Sequence, residues 1–242
     1  MNTPQRVVRY GDDPSQCVEL TLPEGSHRGV VVVIHGGFWR ARYDLSLGRP
    51  LADSLVRHGW AAWNVEYRRV GNGGGDPETF DDVAAAIDAL AEHDLDLTRV
   101  IAVGHSAGGH LATWAAARGR YPRWPTTVEL TGVVAQAGVL DLRAAHDEHL
   151  GAGAVEAFLG HPPGPADAAA DPAREVPLDV PVHCVHAVGD DVVPVSQSRN
   201  YVEAATRAGA SAALTEVEGD HFTVIDAESE AWHTTLQILE EL

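Results

Sequence analysis

The chain has 242 residues, of which 45% are hydrophobic, and a formal net charge of −18. This length and composition suit a single globular domain with a full core, expected to span residues 1–242. The negative charge argues against nucleic acid and against anionic membrane surfaces as partners. All 17 basic residues are arginine, which excludes lysine-dependent chemistry such as pyridoxal-phosphate Schiff bases.

No signal-peptide core is present in the first ten residues, and no run of about 18 apolar residues predicts a membrane span. We therefore expect a cytoplasmic protein. Cys17 and Cys184 are isolated, which is typical of reduced packing residues. His146 and His149 have no evident third partner, so we expect neither a metal site nor any cofactor.

Apolar β-branched runs alternate with amphipathic helical stretches along the chain. The predicted strands are residues 7–10, 17–22, 30–34, 60–67, 100–103, 132–137, 182–188 and 212–217. The predicted helices are residues 51–56, a segment that Asp76 and Pro77 open as N-cap and first helical residue, and residues 111–117, 197–208 and 226–242. This alternation predicts an α/β fold with a mostly parallel sheet of about eight strands, covered by helices on both faces.

Residues 141–181 do not follow this alternation. They are rich in Ala, Pro and Asp, and only residues 141–149 have a helical pattern. We expect them to form a small insertion over the carboxyl edge of the sheet, where ligands of open α/β sheets bind.

A possible nucleophile lies at Ser106, in the segment Gly104-His-Ser-Ala-Gly108. An apolar strand precedes this segment and helical sequence follows, so the serine occupies the apex of a sharp turn for which the two glycines provide room. A glycine-rich turn with an incidental serine is the alternative. The choice between them depends on whether other residues supply a base.

The candidate base is His221, which follows the last predicted strand in a loop before the final helix. A solvated histidine without a catalytic role is the alternative. Asp190 and Asp191 follow the strand at 182–188 and are both candidates for the acid that would orient the imidazole.

A candidate oxyanion hole follows the third predicted strand, in the segment His35-Gly-Gly37-Phe38-Trp39. Small residues there let backbone N–H groups approach a developing negative charge. We assign the N–H groups of Gly37, Phe38 and Ala107 to this hole and expect His35 to brace the loop. A plain Gly-Gly turn is the alternative.

With these motifs the chain resembles the α/β-hydrolases over nearly its whole length. Many of them carry His-Gly-x-x-Asp-x-x-Val-Pro at the catalytic acid, and the spacing of His186 and Val193-Pro194 in this chain then favours Asp190 over Asp191. The segment that begins at His35, with the serine motif, is similar to the arylformamidase (kynurenine formamidase) group, which has His-Gly-Gly-x-Trp. Hormone-sensitive-lipase-like esterases have His-Gly-Gly-Gly instead.

The resemblance implies a serine hydrolase that cleaves small carboxylic esters or N-formyl aryl amides. The alternatives are a short-chain carboxylesterase without a formamidase role and a hydrolase-fold protein that binds a ligand without catalysis. We expect Phe38 and Trp39 to narrow the acyl side of the pocket, unless both rings face the core. The remaining predicted substrate contacts, on the leaving-group side, are Leu140, Phe158 and Leu159.

Overall fold

The computed structural model describes residues 5–242. Within that range eight strands form one sheet, in the order β1-β2-β4-β3-β5-β6-β7-β8. The strands are β1 (Arg6–Arg9), β2 (Cys17–Thr21), β3 (Val30–Ile34), β4 (Ala61–Val65), β5 (Val100–His105), β6 (Gly132–Gln136), β7 (Val182–Ala187) and β8 (Ala212–Val217). Met1–Pro4, part of the segment expected to lack a signal peptide, lie outside the described residues.

The sheet is mostly parallel, as predicted. β2 pairs antiparallel with β1 and with β4, while every later pair, from β4–β3 to β7–β8, is parallel. All five residues of β3 are buried, because parallel strands covered on both faces need apolar side chains on both faces. The carboxyl ends of β3, β5, β7 and β8 therefore share one edge of the sheet.

Seven α-helices cover the sheet within the described residues. They are α1 (Arg49–Arg57), α2 (Glu78–Asp88), α3 (Ala107–Ala117), α4 (Leu142–Asp147), α5 (Ala154–Leu159), α6 (Ser196–Arg207) and α7 (Glu230–Glu241). One apolar layer includes side chains of α2 and α3, and the other includes side chains of α1 and α7. Trp232, Leu236 and Leu239 of α7 are buried in the second layer.

Two predicted helix starts are wrong. α2 begins one residue later than expected, with Pro77 as an N-cap that makes no side-chain hydrogen bond, and the backbone N–H of Asp76 donates to the carbonyl of Phe158. The last helix starts at Glu230 rather than near residue 226, because the side chain of Ser229 caps it by accepting from the backbone N–H of Trp232 at 3.0 Å.

The insertion consists of α4, α5 and two 3₁₀ turns, Pro165–Ala170 and Pro172–Arg174. It reaches the segment after β3: the guanidinium of Arg40 donates to the carbonyl of Gly151. A Cβ on Gly151 would lie 2.6 Å from the ring of Phe38, so these two residues are in close contact. These contacts join the insertion to the segment that follows β3, and its position over the carboxyl edge stays a prediction.

In the described part of the chain, no helix is both long and apolar enough to cross a lipid bilayer.

Candidate active site

Ser106 lies between β5 and α3, in a backbone conformation that residues with a Cβ rarely adopt. Its φ is 56° and its ψ is −119°. Three backbone hydrogen bonds hold this turn. The N–H of Ser106 donates to the carbonyl of Gln136 at 2.8 Å, and the carbonyl of Ser106 accepts from the N–H groups of His110 and Val139 at 3.1 and 3.2 Å. A strained residue fixed in this way is typical of a functional site. It matches the strand–turn–helix elbow that presents a nucleophilic serine.

Gly104 and Gly108, on either side of Ser106, occupy positions with no room for a side chain. A Cβ on Gly104 would lie 2.0 Å from the carbonyl oxygen of Gly108, and a Cβ on Gly108 would lie 2.0 Å from that of Ile34. No side chain fits either position, so the predicted role of these glycines is confirmed.

His221 and Asp190 form a short hydrogen bond, 2.6 Å between Nδ1 and Oδ2. The histidine comes from the loop after β8 and the aspartate from the loop after β7. Since the carboxylate only accepts, Nδ1 carries the proton and Nε2 is left as the proton acceptor. Asp191, the other candidate acid, is exposed.

The Asp190 side chain is fully buried and saturated with donors. Its Oδ1 accepts from the N–H groups of Val192 and Val193, at 2.9 and 2.8 Å. His186 adds a third contact, with its Nε2 3.3 Å from Oδ2. Burial alone would raise the pKa of Asp190, but the hydrogen bonds from His186, His221 and Val193 outweigh it and hold the pKa well below its usual range.

His186 supports the candidate acid, although the sequence analysis used it only as a spacing marker. Its Nδ1 lies 2.7 Å from the hydroxyl of Ser198 in α6, and its Nε2 lies 2.9 Å from the carbonyl of Val193. It thereby fixes the loop that carries Asp190. This role could have been inferred from the sequence, because His186 lies near the end of β7 and only four residues before Asp190.

His105, the residue before the serine, holds the histidine loop. Its Nε2 lies 2.9 Å from the backbone carbonyl of His221, and the two rings are 4.5 Å apart. Burial, together with the charge His221 would carry, lowers the pKa of His105 to about 3. His105 is therefore neutral at pH 7 and donates to the carbonyl through Nε2–H.

The candidate oxyanion loop, residues 35–44, passes next to Ser106. A Cβ on Gly36 would lie 3.0 Å from the Cβ of Ser106. Gly37, Phe38 and Trp39 all have positive φ, of 113°, 52° and 53°, so the chain turns sharply here. Among residues 5–242, no backbone acceptor pairs with the N–H of Gly37 or of Phe38.

Ala107, the third predicted donor, is the first residue of α3. Its N–H belongs to the first turn of a helix, where backbone donors have no partner within the helix. The three assigned N–H groups therefore lie in two segments next to Ser106: the loop after β3 and the start of α3. Their joint role as an oxyanion hole stays a prediction.

The prediction of four substrate-binding side chains has to be corrected, because the structure buries them. Trp39, Leu140, Phe158 and Leu159 all lie in the core, with exposed fractions of 1%, 0%, 1% and 5%. Trp39 stacks on Phe158 with ring centroids 4.7 Å apart, and its indole N–H donates to Nδ1 of His110 at 3.2 Å. These contacts satisfy the tryptophan inside the protein, so it does not form an open wall of an acyl pocket. The alternative, that both rings face the core, holds for Trp39 only, because Phe38 is half-buried.

A different aromatic side chain lies at the surface of the site. Phe222 follows His221, is 60% exposed, and has its ring 5.4 Å from that of the histidine. Its backbone N–H and that of Thr223 both donate to Oδ1 of Asp220 at 3.0 Å, which fixes the turn. Sequence reasoning missed Phe222 because a single aromatic residue after a loop histidine has no distinguishing spacing.

Within the described residues, no group of three or more His, Cys, Asp or Glu side chains is arranged to hold a metal ion. His146 and His149 have ring centroids 6.5 Å apart.

An eight-stranded, mostly parallel sheet with a strained serine after β5 and a carboxylate-bound histidine after β8 defines an α/β-hydrolase. The BD-FAE family model matches residues 18–204, and because this is most of the chain, the protein belongs to the BD-FAE family.

Known relatives agree with this assignment. The esterase LipC of Mycobacterium tuberculosis is 27% identical over 221 residues, which cover 82% of this chain and 54% of LipC. The chain thus spans about half the length of that relative. Esterase B of Lactobacillus rhamnosis, solved with a tributyrin phosphonate, superposes with a TM-score of 0.85 at 21% identity and covers 99% of this chain and 84% of its own. A propionate-bound esterase of Thermogutta terrifontis has a TM-score of 0.77 at 23% identity and covers 98% and 92%.

Proposed function

We propose that this protein is a serine esterase that hydrolyses small carboxylic esters through an acyl-enzyme on Ser106. The observation that carries the proposal is the 2.6 Å bond between His221 Nδ1 and Asp190 Oδ2, because it leaves Nε2 of the histidine as a proton acceptor. The strained serine at the elbow supplies the hydroxyl group that needs such a base.

In this mechanism His221 removes the proton of the Ser106 hydroxyl as its oxygen attacks the ester carbonyl. The carbonyl oxygen becomes negatively charged and accepts hydrogen bonds from the N–H groups of Gly37, Phe38 and Ala107. His221 then gives its proton to the departing alcohol. Water, deprotonated by the same histidine, attacks the acyl-enzyme and releases the acid, and Asp190 stabilises the imidazolium in both halves.

Short acyl groups, formyl to butyryl, are the proposed substrates. The ring of half-buried Phe38, in the oxyanion loop, lies against Gly151 of the insertion, and a ring held there would limit the space for a long acyl chain. The Lactobacillus and Thermogutta esterases were solved with a tributyrin phosphonate and with propionate, both short-chain compounds. The aryl formamide suggested by the loop sequence remains a substrate to be tested against esters, since no contact in the site favours an amide.

Labelling with a fluorophosphonate probe tests the nucleophile. We expect mass spectrometry to place the label on Ser106, and Ser106→Ala to lose both the label and turnover, by about 10⁴–10⁶ in kcat, while remaining folded. An unlabelled wild-type protein would instead support the ligand-binding alternative.

A substrate panel tests the specificity. Its members are p-nitrophenyl acetate, butyrate and octanoate together with N-formylkynurenine. We expect the octanoate to have a kcat/KM lower by about 10² or more, since each misfitting methylene costs about 1–3 kcal/mol. Comparable values for acetate and octanoate would refute the short-acyl pocket, and a kcat/KM for the formamide above that for the acetate would restore the formamidase reading.

A further inference from the structure

Glu66 is a buried carboxylate that follows β4 and takes no part in the proposed chemistry. It is 7% exposed, and two basic side chains beside it, His35 and Arg69, are 2% and 4% exposed. Its Oε1 lies 3.2 Å from Nε2 of His35 and 2.7 Å from Nη1 of Arg69. Buried charges in proteins are retained when they are paired and fully hydrogen-bonded.

Two backbone N–H groups complete the environment of this carboxylate. Tyr67 donates to Oε1 at 2.9 Å, and Leu45 donates to Oε2 at 3.0 Å. Oε1 accepts from Tyr67 and Arg69 and Oε2 accepts from Leu45, so both carboxylate oxygens face donors whichever tautomer His35 adopts. A glutamine could not replace it without loss, because the amide NH₂ would have to face a donor on one side.

These contacts hold the oxyanion loop at both ends. His35 is its first residue, and Leu45 follows its last. Nδ1 of His35 lies 2.8 Å from the carbonyl of Gly36, next to the predicted oxyanion donors. The Tyr67 hydroxyl adds a second bond at this end, to the carbonyl of His35 at 2.7 Å.

Arg69 extends the same network to the middle of the loop. Its guanidinium donates to the carbonyl of Tyr43. The ring of Tyr43 packs against Gly37 so closely that a Cβ on this glycine would lie 2.5 Å from it. The position of Gly37 is thus fixed from Glu66 by two routes, one through His35 and one through Arg69 and Tyr43.

We propose that Glu66 is a positioning residue for the oxyanion hole: it fastens both ends of the loop at residues 35–44 and so fixes the N–H groups of Gly37 and Phe38. The carboxylate contacts no substrate and acts through His35, Leu45 and Arg69. The catalytic part of this inference rests on the proposed esterase function, whereas the anchoring of the loop does not.

Glu66→Gln and the shorter Glu66→Asp test the proposal. The matched control is Asp82→Asn, because Asp82 is also a buried carboxylate, 1% exposed, that pairs with an arginine, Arg68, at 2.7 Å. It lies on α2 and has no contact with the oxyanion loop among its hydrogen bonds.

Hydrogen exchange followed by mass spectrometry measures the anchoring without any substrate. We expect amides of residues 35–44 to exchange about tenfold faster or more in both Glu66 variants, while the control matches wild type there. Unchanged exchange in the loop of a folded Glu66 variant would overturn the proposal. This test does not depend on whether the protein hydrolyses esters.

Kinetics measure the catalytic consequence. Because loss of one oxyanion donor costs about 10²–10³ in rate, we expect kcat for p-nitrophenyl acetate to fall about tenfold or more in Glu66→Gln, with KM changed less than about threefold. The preference for the oxygen ester over its thionoester should also fall, since sulfur is the weaker hydrogen-bond acceptor. A loosened loop with the kcat and the ester preference of the control would refute the positioning role. Absence of ester hydrolysis in wild type would refute the proposed function and leave exchange to decide the anchoring.

Discussion

Replacing Asp190 by asparagine should remove most of the activity while leaving the shape of the site intact. Oδ1 of Asp190 accepts from two backbone N–H groups at 2.8–2.9 Å, and the asparagine carbonyl must take over those bonds. Its NH₂ group then faces Nδ1 of His221, where the carboxylate was 2.6 Å away. The histidine has to accept there, which moves its proton to Nε2 and leaves no base for the serine. A wrong tautomer of this kind costs about 10⁴ in kcat, or about 5 kcal/mol of transition-state stabilisation.

The neighbouring aspartate provides the control for this experiment. Asp191 is exposed, so Asp191→Asn should lower kcat for p-nitrophenyl acetate less than about tenfold. Both variants are compared with wild type by steady-state kinetics, and by circular dichroism to show that they are folded. If Asp191→Asn were the more damaging change, or if Asp190→Asn kept a tenth of the activity, the assignment of Asp190 as the orienting acid would be wrong.

Three further changes test the rest of the structure. Burial, with Asp141 nearby, raises the pKa of Asp171 to about 6; stability from this group is complete below its unfolded pKa of about 4 and is lost as the pH rises through 6. At pH 8, urea unfolding should therefore give Asp171→Asn a free energy of unfolding about 3 kcal/mol above that of wild type. This advantage should be lost at pH 4, and the same difference at both pH values would contradict the ionisation argument. Trp39→Ala should cost about 3–5 kcal/mol in urea unfolding because it empties a stacked core site, and a loss below 1 kcal/mol would show that the ring is not packed there. Phe222→Ala should raise KM for phenyl acetate more than for ethyl acetate, because its exposed ring adjoins His221; equal changes would mean that the ring does not contact the leaving group.

Much of the fold was predictable because its signals are local. The buried strands are continuous apolar runs, and the ends of each predicted strand fall within two residues of those observed. The two wrong helix starts have a local cause as well. Asp76 fits an N-cap by residue type, but Pro77 takes that position, and Asp76 is held by a bond to the carbonyl of Phe158, 82 positions further along the chain, which no local pattern shows.

The positions of the candidate site residues were also predictable, because Ser106, Asp190 and His221 each follow a strand at the carboxyl edge, and parallel strands bring those ends together. The supporting contacts were not. Glu66 meets His35 across 31 positions and Leu45 across 21, and Trp39 meets His110 across 71. The sequence alone does not show whether an aromatic residue beside an oxyanion motif lines a pocket or fills the core. The choice depends on how α3 and the insertion pack against it. For Trp39 they supply a ring to stack on and an acceptor for the indole N–H, so burial satisfies the whole side chain. Phe222 has no such partners for most of its ring, so we expect an aromatic leaving group to contact this exposed ring beside His221 rather than the aromatic core beneath the oxyanion loop.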